Sequence, residues 1–132
     1  DFKGNTEIAT FHEFVNFTNL KILSTDCFMS SSLSGITLPP LIEEIGTNSF
    51  RSCTNLHELV LPAAVQRILV SAFGQHSTLL SITLLATTPP SITATGNLRS
   101  DRYWYVPAES LAAYKSASVW SSYADNILAI QE

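Results

Sequence analysis

Apolar positions recur through the middle of the chain at a fixed distance. Ile36-Thr37-Leu38-Pro39 opens a run that continues through Ile42, Ile45, Phe50 and Leu56. Leu59-Val60-Leu61-Pro62 opens a second, through Val65, Ile68, Phe73 and Leu79, and Ile82-Thr83-Leu84 opens a third. Counterparts in successive runs lie 23 residues apart. Within each opening triplet, inward apolar residues flank an outward one, the period-two signal of a half-buried strand. Pro39, Pro40 and Pro62 lack a backbone donor and end the strands, which should be only about three residues long. The i, i+3 pair Ile42 and Ile45, matched by Val65 and Ile68, fits a turn or a second short strand. Phe50 and Phe73 then supply one inward aromatic per run. A single run cannot bury its own apolar face. Identical columns stacked about 4.8 Å apart bury one another.

The flanks depart from this pattern. Leu20, Leu23 and Phe28 precede Ile42, Ile45 and Phe50 by 22 residues, and Leu33 precedes Leu56 by 23, so an earlier run is degraded. Phe14 precedes Ile36 by 22, but Asn16 stands where Leu38 would be, so the strand column should fail there. Residues 1–9 read as an approach segment, with a short strand at Thr6-Glu7-Ile8-Ala9. Thr10 and Glu13 have capping-box spacing, which predicts a helix from about Phe11 to Phe17 lying over the open end of the core. Beyond Ile82-Thr83-Leu84 the pattern breaks at Pro89-Pro90, and Ser91–Arg102 reads as a loop. Tyr103-Trp104-Tyr105-Val106-Pro107 echoes a strand, with Trp104 and Val106 inward. Pro107 and Glu109 suit the start of a helix placed at about 108–117. Val119, Trp120 and Tyr123 pack at its end, and Ile127, Leu128 and Ile130 form a last strand. One domain follows, with an N-terminal cap over 1–19, repeats over 20–88 and a C-terminal cap over 89–132.

Composition narrows the function classes. Hydrophobic residues make up 45% of the chain and charged ones 14%, which describes a folded and sparsely charged domain. The net charge is −4, and the seven basic residues are scattered from Lys3 to Lys115. Phosphate recognition needs clustered cations, so nucleic acid and anionic lipid are poor partners. No apolar run approaches the roughly 20 residues that span a bilayer, so direct membrane insertion is not expected. The chain opens Asp1-Phe2-Lys3-Gly4 with no apolar stretch behind a basic start, the form that a processed product or a piece of a longer protein takes. Cys27 and Cys53 fall in different columns and read as buried thiols, with a disulfide as the alternative. Two cysteines cannot supply the usual four ligands of structural zinc.

A period in the low twenties lies in the window of leucine-rich solenoids, roughly 20–29 residues. Ile36-Thr37-Leu38-Pro39, Ile45-Gly46 and Ser49-Phe50-Arg51-Ser52-Cys53-Thr54-Asn55-Leu56 resemble the BspA-like leucine-rich repeat. Val65, Ala72-Phe73 and Leu79 repeat much of it, with Leu69 and His76 departing where glycine and cysteine are usual. Tyr105-Val106-Pro107-Ala108-Glu109-Ser110, Tyr114-Lys115, Trp120 and Tyr123-Ala124-Asp125 resemble the C-terminal segment of such proteins in gut Bacteroidetes. The resemblance implies a β-rich α+β solenoid. Its coil is short and right-handed, with a 23-residue period, an N-terminal helical cap and a C-terminal strand–helix cap. It also implies a bacterial cell-surface or secreted protein whose partner is a protein or glycan on a host or neighbouring cell. The alternative role is a structural spacer that presents another domain.

The candidate chemistry is thin. His12-Glu13 and His57-Glu58 would need a second histidine four residues on to hold zinc, but Asn16 and Leu61 stand there. The Gly-x-Ser-x-Gly motif and a glycine-rich phosphate loop are absent. Glu43-Glu44, Glu7, Glu13 and Glu58 lack the loop spacing of a hard-cation site and read as solvated surface. Asn16-Phe17-Thr18 meets the glycosylation acceptor pattern, a chance match in a bacterial protein. Tyr103, Trp104, Tyr105 and Trp120 could form a sugar platform or simply pack the cap. No catalytic residue, metal or cofactor is expected. The remaining candidate is the outward column Thr37, Val60 and Thr83, flanked by Glu58 and Ser81, since the extended faces of solenoids are their usual binding surfaces.

Overall fold

The computed structural model describes residues 2–7, 9–75 and 78–131. Its first column of short strands is β1 (Thr10–Phe11), β3 (Gly35–Ile36), β5 (Glu58–Leu61), β7 (Ser81–Leu84), β9 (Tyr103–Val106) and β10 (Ile127–Ala129). The second column is β2 (Ile22–Leu23), β4 (Glu44–Ile45), β6 (Arg67–Ile68) and β8 (Ser91–Ile92). The first column forms two parallel ladders, β1–β3 and β5–β7–β9–β10, and the second forms one, β2–β4–β6–β8. The chain thus follows a repeat, solenoid-like path, with each coil laid on the one before.

The offset between paired residues records the repeat. Leu59 faces Ile82 and Leu61 faces Leu84, the 23 residues read from the sequence. Ile22 faces Glu44, Arg67 faces Ser91 and Thr10 faces Gly35, at offsets of 22, 24 and 25. Proline follows the strands as its missing donor requires. The Ile42–Ile45 stretch resolves into the second-column strand β4.

Inward columns stack as rings and aliphatic side chains. Phe2, Phe28, Phe50 and Phe73 form a pile with centroid spacings of 5.2, 5.4 and 6.0 Å and near-parallel planes. Full burial of a phenylalanine contributes about 2 kcal/mol from apolar area alone. Beside the pile the backbone repeats one bond: the Phe28 N–H donates to Ser49 O and the Phe50 N–H to Ala72 O, both at 2.8 Å. The residues flanking the aromatic turn left-handed. Asp26, Asn48 and Ser71 have φ of 62, 57 and 54°, and Ser30, Ser52 and Gln75 have 59, 61 and 47°. Short polar side chains tolerate that region better than β-branched or bulky ones, which explains why these columns are not apolar. Gly46 is required for a different reason. A Cβ there would collide with the backbone of Leu23 and Ser24 in the preceding coil.

Several expectations are corrected at the N-terminal end. Thr10 does not cap a helix; its backbone lies in the ladder opposite Gly35. The helix is a five-residue 3-10 turn, His12–Asn16, with Phe11 at its N-cap and no side-chain cap bond. The first-column strand does not fail but sits at Thr10–Phe11. Three extra residues in this coil move it out of the 22-residue alignment that pointed to Phe14. Thr6, Glu7 and Ala9 are not in a strand, and Ile8 lies outside the described residues. Residues 2–4 are more than an approach segment. The Phe2 N–H donates to Cys27 O and the Gly4 N–H to Met29 O, both at 2.7 Å, so they stack as the later half of a coil.

At the other end, Ser91–Arg102 is only partly a loop. It begins with β8 and returns buried side chains at Asn97, Leu98 and Arg102. The Asn97 side-chain oxygen accepts the Phe73 N–H at 3.2 Å, in place of a further coil's carbonyl. The fully buried Arg102 guanidinium donates to Leu79 O, Asn97 O, Gly96 O and Phe73 O at 2.8–3.3 Å. Burial, with Arg99 nearby, brings its pKa down to about 10. Tyr103–Val106 forms β9 with Trp104 and Val106 buried, followed by a 3-10 turn at Ala108–Ser110 and α1 (Leu111–Ser116). From this block Ser110 donates to Thr87 O, Tyr114 to Ala86 O and the Trp120 indole to Pro90 O, at 2.7–2.9 Å. Trp104 meets Phe73 and Trp120 edge-on, which ends the stacked pile.

Candidate functional site

The five candidate residues have distinct placements. The strand pleat sends Leu59, Leu61, Ile82 and Leu84 into the core, so Glu58, Val60, Ser81 and Thr83 face outward. Parallel pairing then sets Glu58 beside Ser81 and Val60 beside Thr83. The same ladder carries both rows further. Ser81 lies beside Tyr103, Thr83 beside Tyr105, and Tyr105 beside Leu128. The outer face therefore bears a row Glu58–Ser81–Tyr103 and a row Val60–Thr83–Tyr105–Leu128. Val60 is 52%, Tyr103 40% and Leu128 38% exposed.

Thr37 is exposed but falls outside these paired rows. It follows β3, which pairs with β1, while β5 pairs with β7. Its hydroxyl lies 3.0 Å from His12 Nδ1. The interruption between β3 and β5 leaves two shallow depressions on either side of Val60. One, of about 290 Å³, is lined by His12, Ser34, Gly35, Glu58, Ser81 and Thr83 among others. The second, about 400 Å³, lies between Thr37, Pro40, Pro62 and Leu85, with Ile36 and Val60 shared by both. One depression is polar-rimmed and the other apolar, so the face offers hydroxyls, one carboxylate, an imidazole and apolar contacts side by side.

Sequence reasoning named Thr37, Val60, Thr83, Glu58 and Ser81 but not Tyr103, Tyr105, Leu128 or His12 as members of this face. Alternation around the inward Trp104 and Val106 carried the signal for the two tyrosines. Of the sugar-platform and cap-packing readings of the four aromatics, the two tryptophans follow cap packing. Trp104 and Trp120 are fully buried in the core, and only Tyr103 and Tyr105 reach the outer surface.

The other outer face is neutralised from within. The Arg67 Nε–H donates to Glu44 Oε1 at 2.9 Å across β4 and β6, and Lys21 lies 3.8 Å from Glu43. Cys27 and Cys53 are free and buried, and burial pushes both thiols up, away from the thiolate. Cys53 Sγ is held at 3.0 Å from Phe28 O. Burial likewise raises the Tyr114 phenol. These shifted groups face the core, not a depression. Among the described residues no three His, Cys, Asp or Glu side chains converge as a metal site would need. His12 lies in the 3-10 turn and His57 just before β5, one coil and more apart in sequence, and His76 lies outside the described residues.

A stack of parallel coils whose inward columns form the core, and whose outward column is left to solvent, defines a repeat protein of the interaction type. The profile of the BspA type leucine-rich repeat region matches residues 2–94 in six copies, and the chain belongs to that family. No curated protein matches it. Leucine-rich-repeat domains generally mediate protein binding, and the family is typically non-catalytic.

Proposed function

We propose that this chain is an extracellular protein-interaction module of a bacterial surface protein. It serves adhesion, without catalysis, and engages its partner through the outer face of β5, β7, β9 and β10. The carrying observation is the pair of registered rows: Glu58–Ser81–Tyr103 and Val60–Thr83–Tyr105–Leu128 stand outward while their neighbours fill the core. The mixed chemistry around Val60 suits a protein segment with apolar and hydrogen-bonding groups, and the two outward tyrosines would also accept a sugar ring. The coil is right-handed in this reading, since parallel crossovers take that hand in roughly 98% of cases. The cap boundaries at 19 and 88 belong to the same proposal.

A structural spacer is the second reading, favoured by β1 and β2, which among the described residues each pair on one side only. A binding screen against host matrix proteins and glycans separates the two. Saturable binding that Thr37→Lys plus Val60→Lys abolishes, with circular dichroism unchanged, supports the module. Absence of binding across the panel supports the spacer.

A further inference from the structure

The first strand column is broken inside the chain, not at an end. β3 pairs with β1 on one side and β5 with β7 on the other, and no ladder joins β3 to β5. The two depressions that share Val60 lie along this break, and their chemistry is one-sided. Glu58 is exposed in the first, and no lysine or arginine lines either. Asp26, Glu43, Glu44 and Asp101 each have a lysine or arginine within 2.7–3.8 Å. Glu58 has no such partner among the described residues. Beside it stand the hydroxyls of Ser34, Ser81 and Thr83. The other titratable group there is His12, whose Nδ1 lies 3.0 Å from Thr37 Oγ1.

We infer that this break seats an extended protein segment that carries a lysine or arginine two residues from an aliphatic side chain. The inference rests on the outer face being the binding surface. The cation meets the Glu58 carboxylate, and the hydroxyls of Ser81 and Thr83 accept its remaining hydrogens. The aliphatic side chain enters the second depression, against Pro40, Pro62 and Leu85. The spacing follows from the strand. Glu58, Val60 and Pro62 follow one another at two-residue steps, with Glu58 in the first depression, Pro62 in the second and Val60 in both. Alternate residues of an extended chain point the same way and lie about 7 Å apart. A partner running along β5 therefore presents residues i and i+2 to the two depressions. The net charge of −4 favours the approach of a basic segment. An acidic segment would meet Glu58 as a like charge, with no lysine or arginine in the break to offset it.

Panning a phage-displayed library of random linear peptides against the full chain, then titrating the enriched peptides by fluorescence anisotropy, tests this. Enriched peptides should carry lysine or arginine two positions from valine, isoleucine or leucine. Glu58→Gln should weaken them at least about tenfold. Glu58→Lys should abolish their binding and instead take the peptide whose basic residue is changed to glutamate. Glu109→Gln removes the same charge from the C-terminal 3-10 turn and should change affinity by less than about twofold. Glu58 and Glu109 are exposed, so circular dichroism should not change. Enriched peptides without a basic residue, or peptides that Glu58→Gln binds as the parent does, overturn the inference. If Val60→Lys abolishes the binding of those peptides, the outer-face reading stands without it. No enrichment, or binding that Val60→Lys leaves intact, overturns both.

Discussion

The first and last coils solve one problem in opposite ways. Interior coils are satisfied by a neighbour on each side through the second strand column, the ring pile and the bond from the phenylalanine N–H, while the first column breaks between β3 and β5. The last coil has no such neighbour and substitutes side chains. An asparagine amide, a guanidinium, an indole and two hydroxyls replace a backbone. The first coil has a half coil, residues 2–4, and a phenylalanine cluster of Phe2, Phe11, Phe14 and Phe17 around Phe28. Its apolar surface is partly covered, and among the described residues β1 and β2 each pair on one side only. Terminating a solenoid thus has two separable parts. One is covering the rings; the other is satisfying the backbone. The C-terminal end does the first and, through its side-chain bonds, much of the second, although β10, like β1, pairs on one side only among the described residues.

Breaking the polar seal and opening the ring pile should have the largest effects. Arg102→Met removes a buried donor to four carbonyls. Leaving such acceptors unmet costs about 1–3 kcal/mol each before relaxation, so a loss of about 4 kcal/mol in urea unfolding is expected. Phe50→Ala opens the middle of the pile and should cost about 3–5 kcal/mol. Phe2→Ala removes the half-buried outer ring of the same pile and should cost only about 1–2 kcal/mol. Equal losses at Phe50 and Phe2 would deny that the N-terminal end is looser.

A smaller effect comes from the thiols. Burial raises the folded pKa of Cys27 and Cys53 above 9.0, while the unfolded thiols titrate near 9.0. The unfolded state then releases protons first as pH rises. The thiol contribution is fully present below about pH 9 and lost above it. Unfolding free energy should therefore fall between pH 9 and 10, with a shallower slope in Cys53→Ala. The smallest change is expected at Ser52, whose φ is 61°. Ser52→Gly relieves the left-handed strain but loosens the unfolded chain, and should shift stability by no more than about 0.5 kcal/mol.

Much of the fold was legible because stacking makes columns, and columns leave a period. The inward phenylalanines, the proline-ended strands and the inward pair Trp104 and Val106 all follow from it. What escaped did so for physical reasons. β1 was hidden by three extra residues in its coil. β8 is two residues long and offers one apolar position, Ile92, behind Pro89-Pro90. Asn97 and Arg102 look like loop residues because satisfying carbonyls leaves no hydrophobic signature. On the outer face, Val60 and Thr83 were readable from alternation, and Tyr103 and Tyr105 from the same rule one strand later. The approach of His12 to Thr37, across one coil, has no trace in local spacing.

Native-state hydrogen exchange tests the unequal ends most directly. Amide protection ranges from almost none at fraying ends to the global unfolding free energy in the core. The Phe73 amide, held by Asn97, and the Ile130 amide, held by Val106 O, should exchange with the slowest amides, such as Phe50. The Phe2 and Gly4 amides should exchange orders of magnitude faster, although each donates a 2.7 Å bond. Equal protection at Phe2 and Phe73, or faster exchange at Phe73, would contradict an open first coil and a sealed last one.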